Sequence, residues 1–282
     1  MSNTPSISII GPGVMAEAVI GGLIRNQVTS PAKITAAGPR QERGDELIDR
    51  YGVHFTTDNA AAVKEAGIVV LAVKPQRLEG VLSGLREKIA SDALVLSIVA
   101  GASIKTISQA LAHSSVVRVM PNTPAQIGQG ISVWTASPSV TAEQLDLVRS
   151  ILTALGQEIF VEDENLLDMA TALSGTGPAY VFLFMEALID AGVHLGFPRR
   201  ISEQLVMQTV RGSVEYYDQK KGHPAQLRNE VTSPGGTSAA ALYYLEKAGF
   251  RTALSRAIWA AYERSQELGR GKTSAPPEKQ GS

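Results

Sequence analysis

An α/β fold followed by an all-helical region is what this chain predicts, on three observations. Short runs rich in β-branched residues alternate with helical patterns through the first half. A glycine turn, Gly11-Pro12-Gly13, stands directly after the first such run. From Leu166 to Leu268 no strand pattern recurs, and the stretches between turns read as helix. Near-continuous apolar strands between helices indicate a parallel sheet covered on both faces, so the first half is doubly wound.

The elements follow in order. Ser6–Ile10 is the first strand, and the glycine turn leads into a helix through about Asn26. Lys33–Ala37 precedes a charged helix near Gln41–Tyr51 and the short run VHFTT. Gly67–Val73, Ala93–Val99 and Ser115–Met120 are strands separated by helical stretches at Pro75–Ile89 and Ser103–Ala112. GISVWTA, a helix over Ala142–Leu155 and GQEIFV extend the sheet, which ends near Glu162. Residues 163–270 then read as an all-helical domain, punctuated by GFP, KKGHP and SPGG. The tail, 271–282, is polar and Pro-rich and predicts no packed structure. The run AYVFLFMEALIDAGVHLG is apolar around nearly its whole circumference, as in helices buried on all sides. A helical domain of ~100 residues rarely encloses one helix, so a homodimer or larger homo-oligomer is expected. The alternative is a central helix inside one subunit.

Composition excludes several classes. With 26 Lys and Arg against 27 Asp and Glu, no basic field is available for nucleic acid or a membrane surface. The absence of cysteine removes disulfides, thiolate nucleophiles and thiolate metal ligands, and suits a cytoplasmic protein. Apolar stretches are broken by charge or glycine, and the N-terminus lacks the pattern of a signal peptide, so no membrane is expected. His54, His113, His194 and His223 lack ligand spacing, which predicts no metal. No Gly-x-Ser-x-Gly elbow follows a strand, which argues against a Ser-His-Asp hydrolase.

A glycine turn between a strand and a helix is the context of a dinucleotide fingerprint. Gly11 permits the tight turn, Gly13 lets a pyrophosphate approach the backbone, and Ala16 stands at the third glycine position. Residues 1–162 therefore read as a Rossmann-type nucleotide-binding domain. At the end of the second strand Gly38 occupies the slot where a carboxylate binds the ribose of NAD, with Arg40 and Arg43 following. That favours NADP (NADPH), with NAD the alternative if both arginines are solvated helix charges. Ala72–Gln76 and Met120–Pro124 sit at strand ends, where they either line the nicotinamide or serve as ordinary connections.

No lysine occurs from Leu166 to Gln219, which disfavours a hydroxyacid dehydrogenase needing a base early in its helical domain. A protonated imine accepts hydride without a strong protein acid, provided it is oriented and its carboxylate is held. Ser233-Pro-Gly-Gly-Thr-Ser238, at a helix start, suits an anion, and suits equally a Pro-Gly turn with a hydroxyl cap.

The blocks NEVTSPGGTSAAALYYLEKAGFRTAL, VMPNTPAQIGQG and LSGTGPAYVFLFMEALIDAGVHLGFPR resemble Δ1-pyrroline-5-carboxylate reductases over essentially the whole chain. The turn GPGVMAEAVIGGL is similar too, although Pro12 and Val14 stand where other residues are usual. The resemblance implies NAD(P)H-dependent reduction of a cyclic imine to proline. It places Gly11, Gly13 and Met15, with Val14 between them, at the pyrophosphate, and Asn59 at the adenosine. It places Ala72, Lys74, Pro75, Asn122 and Thr123 beside the nicotinamide. Ser233, Gly235, Gly236 and Thr237 are implied to bind the substrate carboxylate. Ser238 stands where threonine is usual and is the implied catalytic hydroxyl facing the ring nitrogen. Interlocked helical dimers are implied as well.

Overall fold

The structure is a computed structural model that describes residues 4–270. Among these residues the strands are β1 (Ile7–Ile10), β2 (Ile34–Ala37), β3 (His54–Thr56), β4 (Ile68–Leu71), β5 (Leu94–Ser97), β6 (Val116–Met120), β7 (Gly130–Ala136) and β8 (Gly156–Phe160). They form one sheet in the order β3-β2-β1-β4-β5-β6-β7-β8. Helices α1 (Val14–Arg25), α2 (Gln41–Tyr51), α3 (Asn59–Val63), α4 (Pro75–Leu85), α5 (Ile104–Leu111) and α6 (Ala142–Thr153) connect them. Strand order reverses between β1 and β4, the position where ligands collect outside the carboxyl ends of an open sheet.

β1, β4 and β5 are buried along their whole length, which is why they read as unbroken apolar runs. One face of the sheet packs Ile9, Ile20, Leu23 and Leu152 into a core, and the other packs Leu71, Leu82, Leu85 and Ile107. β7 runs antiparallel to β6, while β8 returns parallel to β7. The connection from Met120 to Gly130 holds only a short 3-10 turn, Thr123–Ile127, too little for the crossover a parallel pair requires.

The remaining helices are α7 (Leu166–Ala170), α8 (Gly177–His194), α9 (Arg199–Lys220), α10 (Pro224–Glu230), α11 (Thr237–Lys247) and α12 (Phe250–Gly269). A π turn over Thr171–Gly175 lies between α7 and α8. The composition changes near 163, but the packing changes later. One compact unit runs to Thr176 and takes in the chain again from Ala261; the other is Gly177–Ala260. Buried Arg118 explains the offset. Its guanidinium pairs with Glu164 at 3.2 Å and Asp168 at 2.7 Å, and Asp168 also accepts from the Ser265 hydroxyl at 2.9 Å. Glu164 in turn accepts from the Ile104 backbone N–H at 2.8 Å. These bonds hold α7 and the last turns of α12 to the sheet unit.

In the helical unit α8 and α9 cross closely at Gly192, where a Cβ would lie 2.1 Å from the Ser202 hydroxyl oxygen. That hydroxyl donates to the Ile189 carbonyl at 2.8 Å. α8 is nevertheless not the enclosed centre of one subunit: Phe182 is 64% and Leu183 66% exposed. The helical stretch Leu166–His194 is the one described helix long and apolar enough to cross a membrane. It begins before the apolar run AYVFLFMEALIDAGVHLG because a π turn, Thr171–Gly175, follows directly on α7. The tail expected at 271–282 lies outside the described residues.

Candidate active site

The glycine turn is built as its residue types require. Gly11 has φ +92°, and a Cβ on it would lie 2.6 Å from Val73 Cγ1 and 2.9 Å from the Val73 nitrogen. Neither the backbone conformation nor the space admits a side chain there. Gly13 is the N-cap of α1; no side chain caps the helix, and a Cβ on Gly13 would meet nothing within 4 Å. The first-turn N–H groups therefore face an open approach beside exposed Val14, which fits a pyrophosphate. Ala16 is fully buried, so its small side chain sets the approach of helix to sheet.

The two arginines after β2 differ in kind. Arg43 donates from Nε to the Pro12 carbonyl at 3.0 Å and from its other nitrogens to Glu46, at 2.6 Å, and to Glu17. Burial alone raises the Glu17 carboxyl, but hydrogen bonds from Arg43 and Tyr51, with the charges of Arg43 and Arg50, outweigh it and hold Glu17 below its ordinary value. Arg43 is thus committed to the fold. Arg40, exposed at the N-cap of α2, makes no side-chain hydrogen bond or ion pair among the described residues, and its guanidinium is available to a ligand.

At α3, Asp58 caps the helix by accepting from Ala60 and Ala61 N–H groups at 2.8 and 3.2 Å. Its neighbour Asn59 has a buried Oδ1 without a partner. A buried acceptor left so costs about 1–3 kcal/mol, which a ligand hydroxyl or amine can relieve. A cavity of about 420 Å³ opens here, lined by Asn59, Gly80, Gly84 and Lys88.

Ala72, Lys74 and Pro75 follow β4, and Asn122 and Thr123 follow β6, so both loops stand at the same sheet edge as Gly11. The Ala72 N–H donates to the Ile10 carbonyl at 2.8 Å, exposed Lys74 is the N-cap of α4, and Pro75 is its first residue. Asn122 is spent on structure: its Oδ1 accepts from the Ile131 N–H at 3.0 Å, and its amide donates to the Ser174 carbonyl at 3.2 Å. Thr123 is exposed at the start of the 3-10 turn. Val73 and Ser174 lie in stretches the sequence singles out, but that Val73 fills the space beside Gly11 and that Ser174 accepts from Asn122 is revealed only by proximity.

In the helical unit Gly235 has φ +73°, and Gly236 is the N-cap of α11 with no side chain capping it. A Cβ on Gly236 would fall 2.5 Å from the Ser233 hydroxyl oxygen, and the Gly236 N–H closes a turn on the Ser233 carbonyl at 3.0 Å. The hydroxyls of Ser233, Thr237 and Ser238 make no hydrogen bond among the described residues. Of the two readings of this helix start, the hydroxyl cap is therefore not what forms. Open N–H groups and three uncommitted hydroxyls can together receive an anion. Among the described residues no cluster of three His, Asp or Glu side chains is placed to hold a metal.

Residues 6–101 match a family model described as NADP oxidoreductase, coenzyme F420-dependent, and residues 164–268 match one described as pyrroline-5-carboxylate reductase dimerisation. A pyrroline-5-carboxylate reductase from Synechocystis is 44% identical over 94% of this chain and 98% of its own length. The chain belongs to the pyrroline-5-carboxylate reductase family. A family member from Corynebacterium melassecola is 41% identical, covering 94% of this chain and 99% of that protein. The crystal structure of the Plasmodium falciparum member with NADP bound matches with a TM-score of 0.88 at 32% identity, covering 95% of this chain and 100% of that one. The family's dimerisation model spans the apolar stretch Leu166–His194.

Proposed function

We propose that this chain reduces Δ1-pyrroline-5-carboxylate to L-proline with NADPH, as the final step of proline biosynthesis in the cytoplasm. The observation that carries the proposal is the uncapped start of α11, with Ser233, Thr237 and Ser238 uncommitted around Gly235 and Gly236. A small substrate whose only fixed charge is a carboxylate matches that arrangement. NADPH, when bound, supplies hydride for the imine carbon. The N–H groups of α11 and the hydroxyls of Ser233 and Thr237 hold the carboxylate. The Ser238 hydroxyl meets the ring nitrogen, which gains its proton from solvent or through that hydroxyl. Because a protonated imine needs no strong acid, the lysine-free stretch before Lys220 is no obstacle.

On the cofactor side, Gly11, Gly13, Val14 and Met15 receive the pyrophosphate, Asn59 the adenosine and Arg40 the 2′-phosphate. Ala72, Lys74, Pro75, Asn122 and Thr123 border the nicotinamide, Asn122 by fixing its loop. The nucleotide is bound within residues 1–162, and the region 163–270 binds substrate, with its helical unit pairing with a second copy that covers α8. No membrane or nucleic acid is involved. Assay of the purified protein tests the reading: NADPH is consumed only when pyrroline-5-carboxylate is present, and proline appears in step. Absence of turnover with either nicotinamide nucleotide would sink it.

A further inference from the structure

We infer that Pro12, in the middle of the first glycine turn, is a specificity-determining residue that closes the acidic slot at the end of β2 and so commits this chain to a 2′-phosphorylated nucleotide. The inference rests on the reading that the turn binds a nicotinamide dinucleotide. NAD-type recognition needs a carboxylate at residue 38 to accept from the ribose hydroxyls. Gly38 does not have the left-handed backbone that would demand glycine. Space forbids a side chain instead: a Cβ on Gly38 would lie 2.4 Å from Pro12 Cδ and 2.9 Å from Pro12 Cγ. Both residues are buried, and a pyrrolidine ring cannot rotate aside as a flexible side chain does.

The turn carrying the ring is also pinned. The Gly11 N–H donates to the Ala37 carbonyl at 2.9 Å, and the Pro12 carbonyl accepts from Arg43 at 3.0 Å. Arg43 is itself fixed by Glu17 and Glu46. With the slot closed, no carboxylate at 38 competes for a ribose hydroxyl or repels a phosphate, and exposed Arg40, two residues along the chain, carries an uncommitted guanidinium. Arg43, which a sequence reading pairs with Arg40 as a phosphate ligand, instead holds the residue that shuts out the alternative.

The test compares wild type with Pro12→Ala, Gly38→Asp and the double variant. It measures Kd for NADPH and NADH by calorimetry and Tm of the nucleotide-free protein. Gly38→Asp alone is expected to lower Tm by about 5 °C, as an overpacked side chain does, and to weaken both nucleotides. The double variant recovers most of that Tm and shifts the NADH-to-NADPH affinity ratio at least ~10-fold toward NADH, the size of one carboxylate–hydroxyl recognition gained. Gly38→Asp with wild-type Tm, or a double variant whose ratio stays at the wild-type value, overturns the inference while leaving the reductase reading intact. A wild type that binds neither nucleotide overturns both.

Discussion

In the α/β unit β1, β4 and β5 are buried end to end, whereas in the helical unit α8, α10 and α11 bury no residue at all. The two halves are comparably apolar in sequence but differ in where the cover comes from. The sheet carries helices on both faces and completes its core within one chain. The helical unit leaves Phe182, Leu183, Tyr244 and Trp259 more than 60% exposed, so its cover must come from outside the chain. The α/β unit is therefore expected to fold on its own account, while the helical unit depends on its partner.

The sharpest way to break that contrast is charge on α8. Phe182→Asp with Leu183→Asp is expected to raise the dimer Kd about 10³-fold or more, since two carboxylates would be stranded in an apolar interface. Light scattering after size exclusion reads the mass. NADPH binding by the α/β unit should survive, and its loss would show that the units are not independent in this way. Next in size is Asp168→Asn, within the α/β unit. Weakening the partner of a guanidinium only 5% exposed should cost about 3 kcal/mol in urea unfolding.

A smaller effect distinguishes the units by pH. The folded state holds Glu17 below its ordinary value near 4.5. The ionised carboxylate thus stabilises the fold fully above that pH, and the stabilisation is lost as pH falls through the lowered value. Glu17→Gln should cost about 1–3 kcal/mol at neutral pH and flatten the acid limb of Tm against pH. An unchanged acid limb would place the sensitive carboxylate elsewhere.

The strands were legible because their signal is local. Ile68–Leu71 and Leu94–Ser97 are apolar on both faces, and a covered parallel strand needs nothing more. The reversal at β7 was not read, because direction follows from a connection too short for a crossover rather than from the strand's own residues. At the candidate site the glycines were legible from type and spacing, since φ at Gly11 and Gly235 admits little else. The roles of Pro12, Arg43, Asn122 and Asp168 were not, because each depends on a residue 26 or more positions away. Composition located the change of texture near 163, but only the Arg118 network reveals that the sheet unit continues to Thr176.

The proposed function divides the labour, with the nucleotide bound by the α/β unit and the substrate carboxylate by the start of α11. Steady-state kinetics on Ser233→Ala and Arg40→Ala, varying imine and NADPH separately, tests it most directly. Ser233→Ala is expected to raise KM for pyrroline-5-carboxylate about 10-fold with the NADPH KM unchanged, and Arg40→Ala to do the reverse, each losing one charge-assisted contact. If Ser233→Ala weakens NADPH as much as the imine, or Arg40→Ala leaves both untouched, the division does not hold.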